Sequence, residues 1–169
     1  MKLLVAVCFT LFIGVVNAAD NPVLRTDTLT LVFTPEWRFT LEPQRSEGHG
    51  PDGEFVIMNY RTLLPDAPPD VVEHHWKTIR GFATEKMPGI AASHGKQVHR
   101  PLTETALPDG RISFSTISQS KKMFKDYYFL QYLLGSRRSL VYITVEGYGR
   151  AEQAAARFEG ILATQQWNE

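Results

Sequence analysis

Apolar and polar positions alternate with recognisable periods along most of this chain, and the exception is its start. From Leu3 to Val16 every residue is apolar or small except Thr10, and Lys2 is the only charge before Asp20. The run is about 14 residues, the length of a signal-peptide apolar region and short of the roughly 20 that a bilayer span needs. Val16-Asn17-Ala18 then offers small residues for a peptidase, followed at once by Asp20, Asn21 and Pro22. The pattern predicts a cleavable signal peptide over residues 1–18, cut after Ala18 or Ala19. Residues 19–169 are then a single exported domain without a transmembrane span.

Beyond that segment, β-branched and apolar residues from Thr28 to Phe33 predict a first strand. Trp37, Phe39 and Leu41 alternate with Arg38, Thr40 and Glu42, the period of a strand with one buried face. Pro43 to Gly53 is polar and glycine-rich and predicts an exposed loop closed by the Asp52-Gly53 turn. Glu54 to Leu64 resumes as a strand. After the Pro65–Asp70 break, Asp70 reads as an N-cap with Glu73 completing a capping box. Val72, Trp76, Ile79, Ala83 and Met87 give a helical stripe that should end at Pro88-Gly89.

Lys96 to Leu107 predicts an extended segment, which Pro101 either weakens or places at a sheet edge. Pro108-Asp109-Gly110 signals a hairpin, and Arg111 to Ser118 alternates again. Tyr127–Leu134 and Leu140–Glu146, joined by Gly135-Ser136-Arg137-Arg138, are nearly continuously apolar and predict central strands. A last helix follows over about Ala151 to Gln166, with Ala154, Phe158, Ile161 and Leu162 on one face. Strands, a helix, a run of hairpins and a terminal helix make an α+β fold. Its antiparallel sheet has a C-terminal meander and is covered by two main helices.

Composition narrows the function. The one cysteine, Cys8, lies in the signal segment, so the mature domain has no disulfide and must be held by packing. Basic and acidic residues balance at 18 each, which removes the electrostatic footprint of a nucleic-acid binder. Five histidines invite a metal reading. However, His74 and His75 are helical neighbours that point about 100° apart, and His94 and His99 lack a matching carboxylate spacing. No metal or cofactor site is assigned. There is no Gly-x-Ser-x-Gly elbow. Gly48-x-Gly50-x-x-Gly53 matches a dinucleotide fingerprint by letters only, since it contains Pro51 and leads into a strand.

The early pair ending in Trp37-Arg38-Phe39-Thr40-Leu41 is one of four features that together resemble a known fold. The others are the helix behind a Pro-rich break, the meander closing with Leu140-Val141-Tyr142-Ile143-Thr144-Val145, and the last helix with Ala155, Phe158, Ile161 and Leu162. The fold they resemble is PsbP-like, also described as the DcrB-like or Mog-like α/β/α sandwich. The resemblance spans nearly the whole mature chain and is architectural. It implies an exported accessory, binding or assembly protein, and it brings no catalytic residues with it.

The candidate binding residues are therefore read from local chemistry. His49, Asp52 and Glu54 lie in or beside the polar loop, as a loose site or as solvated loop polarity. Lys121 and Lys122, with Lys125, make one basic turn, and Arg137 with Arg138 makes another at the opposite end of the intervening strand. Tyr127, Tyr128 and Tyr132 are either sheet core or, on an incompletely covered face, a binding surface. The resulting expectation is a non-enzymatic periplasmic or secreted protein that recognises another envelope protein or a small ligand. The alternatives are an immunity or inhibitor protein against a toxin, a hydrolase with a dispersed His and carboxylate site, and a membrane-accessory protein using its basic turns.

Overall fold

The computed structural model describes residues 23–26, 28–93, 97–107 and 110–168. The expected signal segment with Cys8, and with it His94, Lys96 and the Pro108-Asp109 pair, lie outside the described residues. The elements are β1 (Val23–Arg25), β2 (Leu29–Val32), β3 (Arg38–Glu42), β4 (Arg45–His49), β5 (Phe55–Thr62), α1 (Pro69–Gly81), a π-helical turn (Phe82–Lys86), α2 (Met87–Ser93), β6 (Gln97–Ala106), β7 (Ile112–Lys122), β8 (Lys125–Gly135), β9 (Ser139–Tyr148), α3 (Ala151–Leu162) and β10 (Gln166–Trp167). A seven-stranded sheet runs β3-β4-β5-β9-β8-β7-β6, and every adjacent pair in it is antiparallel. A small sheet β1-β2-β10 stands apart. The α+β class, the C-terminal meander β7-β8-β9, the central β8 and β9 and the edge position of β6 all agree with the sequence pattern.

Strand alternation divides the large sheet into two faces. Tyr128, Leu130, Tyr132 and Leu134 of β8 join Val141, Ile143 and Val145 of β9 and Val56 and Met58 of β5 on the first face. There they pack against Ala151, Ala154, Ala155 and Phe158 of α3 and against Leu24, Leu29 and Leu31 of the small sheet. On the second face Ile112, Phe114 and Leu133 pack against Ile79, Ala83 and Met87. The helices thus lie on opposite sides, giving an α/β/α sandwich. Each fully buried aliphatic or phenyl side chain contributes about 1.5–3 kcal/mol over its exposed state.

Several local expectations change. Arg45–His49 is a strand, because the two-residue turn Pro43-Gln44 folds it back on β3, with Gln44 in the left-handed region at φ 63°. Its inward positions are Ser46 and Gly48, so no apolar period marks it. Trp37 is buried just ahead of β3, but Leu41 is 59% exposed. Asp70 is not the N-cap of α1. Pro68 holds that position without a side-chain bond, and Pro69 supplies the preset φ and missing N–H of a first helical residue.

Pro88-Gly89 does not end the helix either. The buried residues His75, Ile79, Ala83, Met87 and Ala91 are spaced by four throughout. Each such step overshoots an α-helical turn by about 40°. The wider π turn, in which the Met87 N–H bonds the Phe82 carbonyl, brings the stripe back over the sheet. It also places Pro88 in the first turn of a new α segment, where a proline is tolerated. From β8, fully buried Gln131 donates from Nε2 to the Met87 carbonyl at 3.0 Å and accepts the Tyr142 hydroxyl at 2.6 Å, tying this helix to the sheet. At the other end of the chain α3 stops at Leu162, and Gln166–Trp167 pairs with β2 as β10.

Candidate functional site

The loop between β4 and β5 is built around Glu54. Its Oε2 accepts the Asp52 N–H at 2.8 Å, and Gly50 donates to the Glu54 carbonyl at 2.9 Å. Gly50 is required by close approach: an added Cβ would lie 2.5 Å from Glu54 Oε2 and 2.8 Å from the Trp37 ring. Gly53 takes φ 77°, as the Asp-Gly turn predicts. From α3, Arg157 reaches down to this loop. Its Nη1 donates to Asp52 Oδ2 at 2.7 Å and its Nη2 pairs with Glu54 Oε1. Glu54 is 2% exposed and Arg157 is 48% exposed, so a buried carboxylate meets a half-exposed cation. Burial partly opposes the charge on Arg157, but the Asp52 hydrogen bond and the Glu54 charge raise its pKa overall. Tyr128 lies beside them. Burial first, and then the Glu54 charge, push its hydroxyl up to about 12.

His49 does not join this cluster. It stands opposite Arg38 on the second face of the sheet and packs at a tilt against Phe55, with ring centroids 5.0 Å apart. The structure therefore brings Asp52 and Glu54 together and separates His49 from them. Among the described residues no three His, Cys, Asp or Glu side chains converge as a metal site. The cation that organises the loop, Arg157, is about a hundred residues away in sequence, and no local pattern marks it.

Of the two readings the sequence left for the tyrosines, the structure gives sheet core rather than an open face. Tyr128 and Tyr132 lie under α3, each 2% exposed, with the Tyr132 ring stacked on Phe158 at 5.6 Å. Tyr127 is on the second face but only 9% exposed. Lys122 Nζ sits 4.6 Å from the centre of its ring, and Tyr148 packs edge-on at 5.2 Å. Burial first, then the hydrogen bond with Glu146, raise the Tyr127 pKa. Lys121 and Lys122 end β7, and Lys121 bonds Asp126 at 2.5 Å. That bond holds the Asp126 carboxyl below its ordinary range.

What remains open is half of the second face. The cluster under α1, the π turn and α2 draws sheet residues only from β6, β7, β8 and β9. Among the described residues no helix of that layer contributes to it over β3, β4 and β5. Here Phe55 and Ile57 are half-buried at the centre, flanked by His49, Glu47 and Arg45 on one side and by Thr144 and Glu146 on the other. Thr40, Glu42 and Arg38 form the exposed margin. The surface is mixed, apolar in the middle and charged at its rim.

Two cavities sit at opposite ends of the sheet. One, about 490 Å³, is lined by His99, Gln119, Lys121 and Asp126. Beside it Arg100 of β6 bonds Glu152 at 2.6 Å and Glu159 at 2.7 Å on α3. The other, about 590 Å³, is lined by Arg111, Arg137, Arg138, Gln165 and Trp167. Its arginines have work within the fold: Arg138 bonds the Leu64 carbonyl at 2.8 Å, Arg137 faces Glu73 at 3.6 Å, and Arg111 lies over the Trp167 ring at 5.3 Å.

No family model matches the chain, and no curated protein matches it in sequence. Its likeness is structural. The solution structure of cyanobacterial PsbP (CyanoP) from Synechocystis sp. PCC 6803 superposes with a TM-score of 0.55 at 13% identity, covering 91% of this chain and 96% of that one. A crystal structure from Bacteroides thetaiotaomicron VPI-5482 fits more loosely, with a TM-score of 0.47 and 8% identity over 83% of this chain and 45% of that one. At such identities the likeness is one of fold. The chain has the PsbP-like α+β architecture that the sequence resemblance implied.

Proposed function

We propose that this chain is a non-enzymatic accessory protein, exported to the periplasm or beyond, that binds another envelope protein through the open half of its large sheet. One observation carries the reading. A half-sheet with Phe55 and Ile57 at its centre and Arg45, Glu47, His49 and Glu146 around them has no covering layer among the described residues. An apolar centre with a charged rim is the anatomy of a protein interface. The PsbP-like fold is compatible with an accessory role. A hydrolase built on His49 with Asp52 and Glu54 has less support, because the imidazole and the carboxylates sit on different faces of the sheet.

The test is site-specific photocrosslinking in the cell that makes the protein. A benzophenone amino acid at Thr40 or Asn59, on the open face, should give one discrete adduct. The same probe at Lys77, on the outer side of α1, should give none. Adducts from Lys77 alone, or none from any position, overturn the reading. N-terminal sequencing of the recovered protein should begin at Ala19 or Asp20; a cytosolic protein starting at Met1 overturns the export half.

A further inference from the structure

The hairpin between β7 and β8 breaks the usual chemistry of its turn. It is a two-residue connection beyond the last ladder pair, Lys122 with Lys125, and both central residues are left-handed: Met123 at φ 51° and Phe124 at φ 65°. Such turns favour Asn-Gly, because a side chain there is strained. Here the two positions hold large apolar residues that touch almost nothing, Met123 at 82% exposed and Phe124 at 101%. Tyr148, 43% exposed, stands behind them against Tyr127. Local backbone preference and burial both argue against Met and Phe at this tip, so folding does not explain them. A strained outlier of this kind points to function.

The charges around the tip are mostly of one sign. Lys121, Lys122 and Lys125 flank it, and Arg150 lies close enough to act on Asp126. The acidic groups are Asp126, which bonds Lys121, and Glu146, which holds Tyr127. Lys122 is anchored over the Tyr127 ring, so its charge stays beside the apolar tip. Two fully exposed apolar side chains with a collar of lysines and a tyrosine behind them match the interface of a bilayer: acyl chains for the tip, anionic headgroups for the cations, and the headgroup level for the tyrosine.

We propose that the β7–β8 hairpin is a membrane-docking finger: Met123 and Phe124 enter the headgroup and acyl boundary of an anionic bilayer, and Lys121, Lys122 and Lys125 bind its phosphates. The inference does not rest on the protein-binding reading, since both apolar residues lie beyond the sheet face that carries that reading. Among the described residues no helix is long and apolar enough to cross a membrane.

The experiment uses the chain from Ala19 onward with vesicles of equal parts phosphatidylglycerol and phosphatidylcholine, against vesicles of phosphatidylcholine alone. Co-sedimentation is expected with the anionic vesicles only, and it should weaken as salt rises. The decisive variant is the double substitution Met123→Asn with Phe124→Gly. It installs the turn's preferred residues, so the urea midpoint should hold or rise while vesicle binding falls by about tenfold or more. Each of Lys121→Gln, Lys122→Gln and Lys125→Gln should weaken binding about fivefold. In Phe124→Trp, emission from position 124 should shift to the blue on anionic vesicles. Unchanged binding by the double variant, equal binding to neutral vesicles, or no shift from position 124 overturns the finger. So does a double variant that loses crosslinking to a protein while keeping its vesicle binding, which makes the tip a protein contact. In the unsubstituted chain, absence of the Thr40 adduct with vesicle binding intact overturns only the partner-binding reading.

Discussion

The two faces of the seven-stranded sheet come from the same strands and differ in what covers them. On the first face Val56, Met58, Tyr128, Leu130, Tyr132, Ile143 and Val145 disappear beneath α3 and the small sheet. On the second, the helical layer stops over β6, β7, β8 and part of β9, and the neighbouring strands turn Arg45, Glu47, His49, Asn59 and Arg61 outward. Successive residues of a strand point to opposite sides, so one segment such as Phe55–Thr62 supplies core to one face and rim to the other. Stability should therefore reside mainly in the first face, and substitutions on the open half of the second should change binding more than folding.

The largest expected effect is on the covered face. Phe158 packs against Phe33 and Tyr132 and is 3% exposed. Phe158→Ala should cost about 3–5 kcal/mol, read as a fall in the urea midpoint with little change in slope. A loss below about 1 kcal/mol would mean that α3 is not the principal cover. Next comes the ion pair at the edge of that face. Arg157→Ala leaves Glu54 buried without its cation, which should cost about 1–2 kcal/mol, because solvent already screens the half-exposed arginine. Asp52→Ala removes only a 70%-exposed partner of the same arginine and should cost less than about 1 kcal/mol. Equal effects from the two would show that the pair is no more buried than an ordinary surface bridge.

The difference between the faces also explains which parts of the structure were legible in sequence. Where a strand packs large side chains, as β8 and β9 do, the apolar run is plain, and the helix stripes announce the layers above. β4 is invisible because its inward positions are Ser46 and Gly48. A Cβ at Gly48 would lie 2.4 Å from the Phe39 ring, so the larger residue of that contact belongs to the neighbouring strand. The continuation of the helix through Pro88 is hidden for a different reason. A stripe spaced by four reads as α-helical until Pro88, and only the π turn shows how it carries on. At the site, Asp52 and Glu54 stand out locally, but their partner Arg157 belongs to another element, and one sequence carries no record of that contact. His49 looks like a member of the same loop because it is near in sequence. Strand alternation sends it to the other face.

On the open half, Ile57 faces Glu47 across the ladder. Ile57→Lys places a cation opposite that carboxylate, an arrangement worth a few tenths of a kcal/mol that offsets part of the lost apolar contact. The change in stability should stay within about 1 kcal/mol, whereas the crosslinked adduct from Thr40 should disappear. A variant that unfolds instead would mean that this face is covered by something the described residues do not include, and the contrast between the faces would fail.

The smallest effect expected is a pH dependence that belongs to the covered face. The hydrogen bond from Arg100, strongest among the influences on it, holds the Glu152 carboxyl below its ordinary value of 4.5, with further help from the Arg100 and His99 charges. A carboxyl lowered in the folded state adds stability that is fully present above the unfolded value. That stability is lost as pH falls through the folded one, so the tether between β6 and α3 should loosen only below 4.5. Glu152 is half exposed, so the contribution should stay under about 1 kcal/mol and shrink with added salt. Arg100→Gln should remove most of this acid-side slope while leaving stability at neutral pH lower by the same small amount. A slope that persists in Arg100→Gln would place the acid sensitivity outside this tether.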